Sequence, residues 1–330
     1  MTETRPAVTM LGGGIGCSRL AAPLAALLGP GRLTVIVNTA DDLWRYGLRI
    51  CPDLDTNLYA LAGVRDQARG WGVASDSFRA MNQLRRMGHN AWFNLGDLDL
   101  ATHLLRTELL HDGLSLSEVT ARLARGFGVD ARLLPMTDVA VGTQVTIPAG
   151  TYSFEEWFVK LSAAGPVEEV CYHGADSADP APGVLDAISD ADQVILAPSN
   201  PVSSIEPILA LPGVRDRLSA RRSSVTAVTP IINGAPMTDQ GEVNRARARR
   251  RLMAARGLAN SATAVAGLYR DLAATFVLDC ADGQEASTIE ADGYRVVLAN
   301  TIISDPDRGS RLAETLLRRP CAGHGSTNSH

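Results

Sequence analysis

Short apolar runs that end in polar loops recur along the chain and predict an α/β protein. The first run, residues 8–11, leads into the glycine-rich turn 12–16, and an alanine- and leucine-rich stretch with helical character follows. A second apolar run at 33–37 completes a strand–helix–strand unit with parallel strands. Further strand candidates are residues 92–95, 193–197 and 225–228. We therefore expect a Rossmann-like, doubly wound, mostly parallel sheet.

The helical patterns indicate how the rest of the chain is organised. Residues 53–125 carry several of them and are expected to form a helical subdomain inserted around the site. A chain of 330 residues with 45% hydrophobic residues can bury one large core. We predict a single domain over residues 1–312 and a disordered tail over 313–330.

Composition excludes several classes of function. A formal net charge of −5 argues against a protein that neutralises the phosphates of a nucleic acid. No apolar stretch is long enough to span a membrane, so a cytoplasmic location is expected. The 5 cysteines are scattered and form no zinc-binding pair. No lysine follows the glycine run, since Lys160 stands alone in the chain, so a Walker-type phosphate loop is excluded.

The glycine turn is the first candidate site. Its backbone N–H groups and the start of the following helix can bind a phosphate. The dinucleotide-binding pattern fails, because Cys17 or Arg19 stands where its third glycine belongs. The second strand also ends at Asn38 instead of an acidic residue. A nicotinamide oxidoreductase is therefore the weaker interpretation.

Four aspartates close in sequence form the second candidate site. Asp41 and Asp42 follow the second strand, and Asp53 and Asp55 lie in the turn 51–56. Several carboxylates within a short reach repel each other unless a cation intervenes, and oxygen ligands suit Mg²⁺. The alternative is that these residues cap helices. For the group of four we favour the metal.

Three further segments carry polar side chains. In one, Asp97 is expected to cap the next helix while Thr102 and His103 face the site. In another, Ser199 and Asn200 follow a predicted strand and either hold a nucleotide or begin a helix. The arginine run 245–251 is interpreted as a solvated helix face in preference to an anion site.

Taken in this order, the segments resemble the 2-phospho-L-lactate transferase family, whose actinobacterial members are phosphoenolpyruvate transferases of coenzyme F-420 biosynthesis. The resemblance covers most of the chain from residue 8 to about residue 310. Its specific motifs are Cys-Pro-Asp-Leu-Asp-Thr at 51–56 and Pro-Ser-Asn-Pro at 198–201. The glycine turn also matches, but it is not specific to this family.

The resemblance implies a set of site residues. Asp41 and Asp55 would be the catalytic residues and would hold Mg²⁺ near the acceptor hydroxyl. The residues implied around the acceptor and behind the metal are Asp42, Asp53, Thr56, Asp97 and His103. The residues implied for binding the donor nucleotide are Gly12, Gly13, Gly14, Gly16, Ser199 and Asn200.

The resemblance also implies a reaction. The terminal ribityl hydroxyl of the deazaflavin Fo attacks a GDP-linked donor, takes up its phosphoenolpyruvyl or phospholactyl unit and releases GMP. Such a transfer needs positioning and charge neutralisation more than a nucleophilic side chain. The expected partners are these small molecules, without nucleic acid or membrane. A homodimer is compatible with the sequence.

Two alternatives stay open because the chain departs from the family pattern. Leu98 replaces a usual arginine, Gln144 falls where the family has histidine, and residues 238–242 replace a usual basic segment. One alternative is a diverged paralogue that joins another phospho-acid to another alcohol. The other is a nucleotide-sugar-binding regulatory protein of the gluconeogenesis-factor type, which would bind its ligand without turnover.

Overall fold

A computed structural model describes residues 5–237 and 239–318 of the chain. Its strands are β1 (Val8–Gly12), β2 (Leu33–Val37), β3 (Leu43–Arg45), β4 (Leu48–Ile50), β5 (Arg132–Pro135), β6 (Gly142–Ile147), β7 (Gly150–Ser153), β8 (Glu169–His173), β9 (Gln193–Leu196), β10 (Val225–Val228), β11 (Thr275–Asp279) and β12 (Arg295–Ala299). Its helices are α1 (Gly14–Leu28), α2 (Pro52–Leu61), α3 (Arg79–Arg86), α4 (Asp97–His111), α5 (Leu116–Gly126), α6 (Val184–Asp190), α7 (Glu206–Leu209), α8 (Val214–Ala220), α9 (Gln240–Ala255), α10 (Ala262–Tyr269), α11 (Ala286–Ala291) and α12 (Pro306–Leu317).

Seven parallel strands form the central sheet in the order β12-β11-β10-β9-β1-β2-β5. From β1 the chain builds outward on one side through β2 and β5, and then on the other side from β9 to β12. The direction therefore reverses between β1 and β9. In open α/β sheets the crevice at the carboxyl ends of such strands is the usual ligand site. The predicted doubly wound α/β fold is confirmed.

Hydrophobic side chains from the sheet pack on both of its faces. In β1, for example, Met10 joins the core that contains α1, α2, α5 and α12, whereas Leu11 joins the core on the opposite face. This two-sided burial explains why the central strands are continuous apolar runs without alternation. Two small antiparallel sheets, β3–β4 and β7-β6-β8, flank the main sheet.

Helices α2 to α5 lie between residues 52 and 126, the region assigned from sequence to a helical insertion. Helix α2 begins with Pro52 at its first position, where proline needs no N–H partner. Asp53 and Asp55 lie in its first turn, and Cys51 occupies the N-cap position. Neither aspartate is therefore the N-cap residue, and both point into the interior.

Two predictions from sequence are corrected by the structure. Residues 92–95 form no strand, because Leu95 packs with Ile50 and Met81 in a separate small core away from the sheet. The tail does not begin at residue 313, because α12 continues to Leu317 and buries Leu316. Residues 319–330 lie outside the described part of the chain. No helix in the described ranges has the length and apolarity needed to cross a membrane.

Candidate active site at the carboxyl end of the sheet

A pocket of about 750 Å³ opens at the carboxyl ends of β1, β2, β9 and β10. The glycine turn, the first turns of α2, the loop after β9 and helix α9 form its walls. It lies at the point where the strand order reverses. The sequence-predicted residues that line it are Gly13, Gly14, Gly16, Asp41, Asp53, Asp55, Thr56, His103, Ser199 and Asn200.

The glycine turn and the loop after β9 are joined by hydrogen bonds. The backbone N–H of Gly13 donates to Ser199 Oγ at 3.1 Å, and the Ser199 hydroxyl donates to the carbonyl oxygen of Gly13 at 2.8 Å. A Cβ at Gly16 would lie 2.0 Å from the carbonyl oxygen of Pro198, so no larger residue fits there. The two segments predicted to bind the donor therefore form one surface.

Asn200 has a structural role in addition to its place in the pocket wall. Its Oδ1 accepts hydrogen bonds from the N–H groups of Val202 and Ser203, which begin the helical turn Pro201–Ile205. The helix-start interpretation of this segment is thus correct for Asn200. It is compatible with ligand binding, because Ser199 and Asn200 also face the pocket.

Asp41 and Asp53 are held together by Asn38. The Nδ2 of Asn38 donates to Asp41 Oδ2 and to Asp53 Oδ2, at 3.0 Å in each case. All three side chains are buried. Asn38 directly follows β2, and the absence of an acidic residue at that position has a structural reason: an amide can bridge two carboxylates, and a third carboxylate would repel them.

Glu155 joins this pair and was not identified from the sequence. It is buried and lines the same pocket, although it is about a hundred residues away along the chain. Burial, with the negative charges of Asp53 and Asp42, raises the pKa of Glu155 to about 8. Burial also raises the pKa of Asp53 to about 7 and that of Asp41 well above its usual range. We call Asp41, Asp53 and Glu155 the uncompensated carboxylates, since no arginine or lysine in the described residues pairs with them.

One oxygen of Asp41 lacks a hydrogen-bond partner. Asp41 Oδ1 is buried and forms no hydrogen bond within the described residues. The hydroxyl of Thr143 lies close enough to offset part of the rise in the Asp41 pKa, yet it completes no hydrogen bond of normal geometry. A buried carboxylate oxygen without a partner is costly. A divalent cation would satisfy it, so these residues fit a metal ion.

Asp55 has a different environment. Arg106 of α4 donates to both of its carboxylate oxygens, with Nη1 3.1 Å from Oδ2. His103 lies beside it, with Nδ1 3.6 Å from Asp55 Oδ2, and contacts Asp99 through Nε2 at 3.3 Å. The Tyr59 hydroxyl donates to Asp99 at 2.7 Å. We call Asp55, Asp99, His103 and Arg106 the paired network.

In the paired network Arg106 pairs with Asp55, and His103 contacts Asp99. Burial alone would raise the pKa of Asp99, but the hydrogen bond and charge of His103 hold it below its usual range. Asp55, Asp99 and His103 each offer one ligand atom, and these atoms lie within 4.8 Å of one another. A cation there would compete with the guanidinium of Arg106. The predicted metal pair, Asp41 and Asp55, is thus divided between two environments.

Two of the predicted acceptor-side residues lie outside the main pocket. Asp42 forms an ion pair with Arg49 at 3.0 Å and borders a smaller cavity next to Asp41, where burial raises its pKa to about 6. Asp97 does not cap its own helix. It accepts hydrogen bonds from the N–H groups of Arg79 and Ala80 and so caps α3.

The structure also places the departures from the family pattern. Leu98 is 57% exposed and does not line the pocket. Gln144 borders the smaller cavity beside Asp41. Asp239 and Glu242 line the main pocket, while Thr238 lies outside the described residues. Gln144, Asp239 and Glu242 therefore line one of the two cavities, and Leu98 lines neither.

Aromatic side chains form one wall of the pocket. Phe154 and Phe158 stack with ring centroids 5.5 Å apart. The other aromatic residues that line the pocket are Tyr59, Trp71, Trp92 and Phe93. Such a wall favours a flat conjugated ligand, because stacked rings contribute beyond the area they bury. Phe154 and Phe158 were not identified from the sequence.

The fold and the pocket together define a class of protein. It is an α/β protein with a pocket at the carboxyl ends of its parallel strands, where a glycine turn lies beside the uncompensated carboxylates. The sequence matches the family described as 2-phospho-L-lactate transferase CofD over residues 8–301. The chain belongs to this family, and it is a transferase.

Individual relatives agree with this assignment. The chain is 40% identical over 317 residues to a phosphoenolpyruvate transferase of Kitasatospora aureofaciens, covering 94% of this chain and 96% of the relative. It is 36% identical to a 2-phospho-L-lactate transferase of Methanosarcina barkeri, covering 92% and 96%. A crystal structure of a UPF0052-family protein from Bacillus halodurans has the same fold, with a TM-score of 0.60 and 16% identity over 95% of this chain and 99% of that chain.

Proposed function

We propose that the protein transfers a phosphoenolpyruvyl or phospholactyl unit from a GDP-linked donor to the ribityl hydroxyl of the deazaflavin Fo, releasing GMP, in a Mg²⁺-dependent reaction of coenzyme F-420 biosynthesis. The observation that carries the proposal is that the uncompensated carboxylates, which include Asp41, lie directly beside the glycine turn. This arrangement brings acidic side chains and the start of a helix into one pocket in a chain of the 2-phospho-L-lactate transferase family.

The donor's diphosphate would lie on the surface made by the glycine turn and the Ser199 loop. The turn opens α1, whose N-terminus carries a partial positive charge and free N–H groups. Gly13 has to be a glycine, because a Cβ there would lie 2.0 Å from Asp53 Oδ2. The absence of a side chain at Gly13 explains how the glycine turn and the carboxylates come so close.

Asp41 would hold the Mg²⁺ ion, with Asp53 and Glu155 as its nearest acidic neighbours. When bound, the ion would neutralise charge on the donor phosphates during transfer. We favour Asp53 and Glu155 over Asp55 in this role, because Arg106 already neutralises Asp55. Asp55 and His103 would instead keep the floor of the pocket rigid and fix the position of α2.

The acceptor would lie against the aromatic wall. The planar deazaflavin ring would stack there, and its ribityl chain would extend toward the carboxylates at the other side of the pocket. The new bond joins the ribityl oxygen to the donor phosphorus as the bond between that phosphorus and the GMP oxygen breaks. The proton of the hydroxyl passes to a pocket carboxylate.

The test is mass spectrometry on the purified protein with Mg²⁺, Fo and guanosine-diphosphate-linked phosphoenolpyruvate, run with and without EDTA. We expect an Fo phosphodiester and GMP, both abolished by EDTA. A folded protein that binds the donor but leaves Fo unmodified would contradict the proposed acceptor. It would support the diverged paralogue, since Gln144 and the segment around Glu242 then mark a changed substrate.

A further inference from the structure

One end of the pocket is lined by arginines, in contrast to the part that holds the uncompensated carboxylates. Arg19 from α1 and Arg245 and Arg249 from α9 are the arginines that line it in the described ranges. The sequence favoured a solvated face for the run 245–251. That interpretation is wrong for Arg245 and Arg249, which lie one turn apart and both face the pocket.

Two of these arginines already have acidic partners. Arg19 and Arg245 both bind Glu242, and Arg245 Nη2 lies 2.9 Å from Glu242 Oε1. Asp239 adds a longer contact with Arg245 at 3.7 Å. These pairs join α9 to the helix that follows the glycine turn. Their charges need no ligand.

Arg249 has no such partner. It forms no ion pair with any residue in 5–237 or 239–318. Its Nε is shielded from solvent and has no hydrogen-bond partner there. Burial lowers its pKa to about 10, so the guanidinium still carries its charge at neutral pH. A shielded cation that faces a pocket without an ion-pair partner fits an anionic ligand.

The position of α9 indicates which anion. The helix packs against the turn Pro201–Ile205, which directly follows Ser199 and Asn200, and through Glu242 it reaches Arg19 beside the glycine turn. Both segments assigned to the donor thus border the arginine end of the pocket. A diphosphate bound between them would face Arg249.

We propose that Arg249 binds a phosphate oxygen of the donor's diphosphate and thereby positions the phosphorus that is attacked. The inference rests on the proposed function and adds a residue to its donor site. A guanidinium suits this role because it presents several N–H groups in one plane to a phosphate. Arg249 binds and positions the donor, and its loss leaves the uncompensated carboxylates unchanged.

The experiment measures binding of GDP and of guanosine by isothermal titration calorimetry in the presence of Mg²⁺. The β-phosphate of GDP stands in for the transferred phosphate of the donor. Arg249→Gln should weaken GDP binding about tenfold or more, as expected for a charged hydrogen bond, and should leave guanosine binding within twofold. Arg250→Gln is the matched control: it removes the same charge from an exposed position of the same helix and should change neither.

Three results would overturn the inference. Equal GDP affinity in wild type, Arg249→Gln and Arg250→Gln would exclude the phosphate contact while the proposed function stands. A parallel loss of GDP and guanosine binding in Arg249→Gln would mean that the side chain only shapes the pocket. If Arg249→Gln does not fold, Arg249→Met, which keeps the apolar stem, is measured in its place. Wild-type protein that binds no guanine nucleotide would reject the proposed function together with the inference.

Discussion

The two groups of carboxylates around the pocket differ in how their charge is balanced. Of the uncompensated carboxylates, Asp41 and Asp53 share the amide of Asn38, and burial raises the pKa values of all three. The paired network surrounds Asp55 with Arg106 and His103. Both are buried and both derive from acidic residues that look alike in the sequence. The comparison teaches that neighbouring aspartates of one pocket can differ in counter-charge, and in the proposed function the missing counter-charge marks the cation site.

The largest expected effect is the loss of turnover on changing Asp41. Asp41→Asn removes the carboxylate with the unpartnered oxygen and should lower kcat about a hundredfold or more, a typical cost of losing a charged group that acts on the transition state. Steady-state formation of the Fo phosphodiester checks it. Near-normal turnover with an intact fold would remove Asp41 from the metal site.

A large loss of stability is expected from breaking the paired network. Arg106→Gln leaves Asp55 buried without its cation, which costs about 3–5 kcal/mol for a broken buried pair. Urea unfolding followed by circular dichroism gives the free energy of unfolding. Arg49→Gln serves as a control, because its partner Asp42 is also buried but borders a second cavity. A change below about 1 kcal/mol for Arg106→Gln would contradict the structural role of the network.

The stability of the metal-free protein should fall as pH rises. Glu155, with a folded pKa of about 8, keeps its proton over a range in which the unfolded chain has lost it. The unfolded state then binds fewer protons than the folded state. The stabilising contribution of Glu155 is therefore present below about pH 4.5 and is lost as pH rises toward 8. Thermal unfolding in EDTA from pH 5 to pH 8.5 measures this slope.

Glu155→Gln isolates the contribution of that residue. The variant should flatten the slope by on the order of 1 kcal/mol per pH unit or less, since Asp41 and Asp53 also take part. Added Mg²⁺ should stabilise the wild type more at pH 8 than at pH 5. An identical slope in wild type and variant would show that Glu155 is ionised throughout.

The smallest effect is expected for Asp42. This residue follows Asp41 directly but is paired with Arg49 and lies outside the main pocket. Asp42→Asn should therefore lower kcat less than about tenfold, within the range of a single supporting hydrogen bond. The Asp41→Asn and Asp42→Asn pair compares two neighbouring aspartates in one assay. Equal losses would show that pairing with arginine does not distinguish them.

Local sequence was sufficient for the centre of the fold. The runs that became β1, β2, β9 and β10 are short, apolar and followed by loops, which is the signature of buried parallel strands. The glycine turn and the aspartates near it could be found because each is a local pattern. Strand β6 was not predicted from the sequence. Its buried and half-exposed residues alternate over 142–147, as in a strand with one buried face.

The remaining parts of the site depend on tertiary contacts that no local pattern reveals. Glu155 is one of two adjacent glutamates between aromatic residues, and only the packing of the small sheet brings it to Asp53. Arg106 looks like an ordinary helix residue until α4 is packed against Asp55. The orientation of α9 decides that Arg249 faces the pocket while Arg250 faces solvent. Sequence therefore identified Asp41, Asp53 and Asp55, but neither Glu155 nor the counter-charge of Asp55.

The most direct test compares Mg²⁺ binding by Asp41→Asn and Asp55→Asn. Calorimetric titration with Mg²⁺ in the presence of GDP, on variants shown to be folded, separates the two groups of carboxylates. The account predicts that Asp41→Asn loses the magnesium site while Asp55→Asn keeps it within about tenfold of the wild-type affinity. Retention of the site in Asp41→Asn together with its loss in Asp55→Asn would contradict the account and place the ion in the paired network.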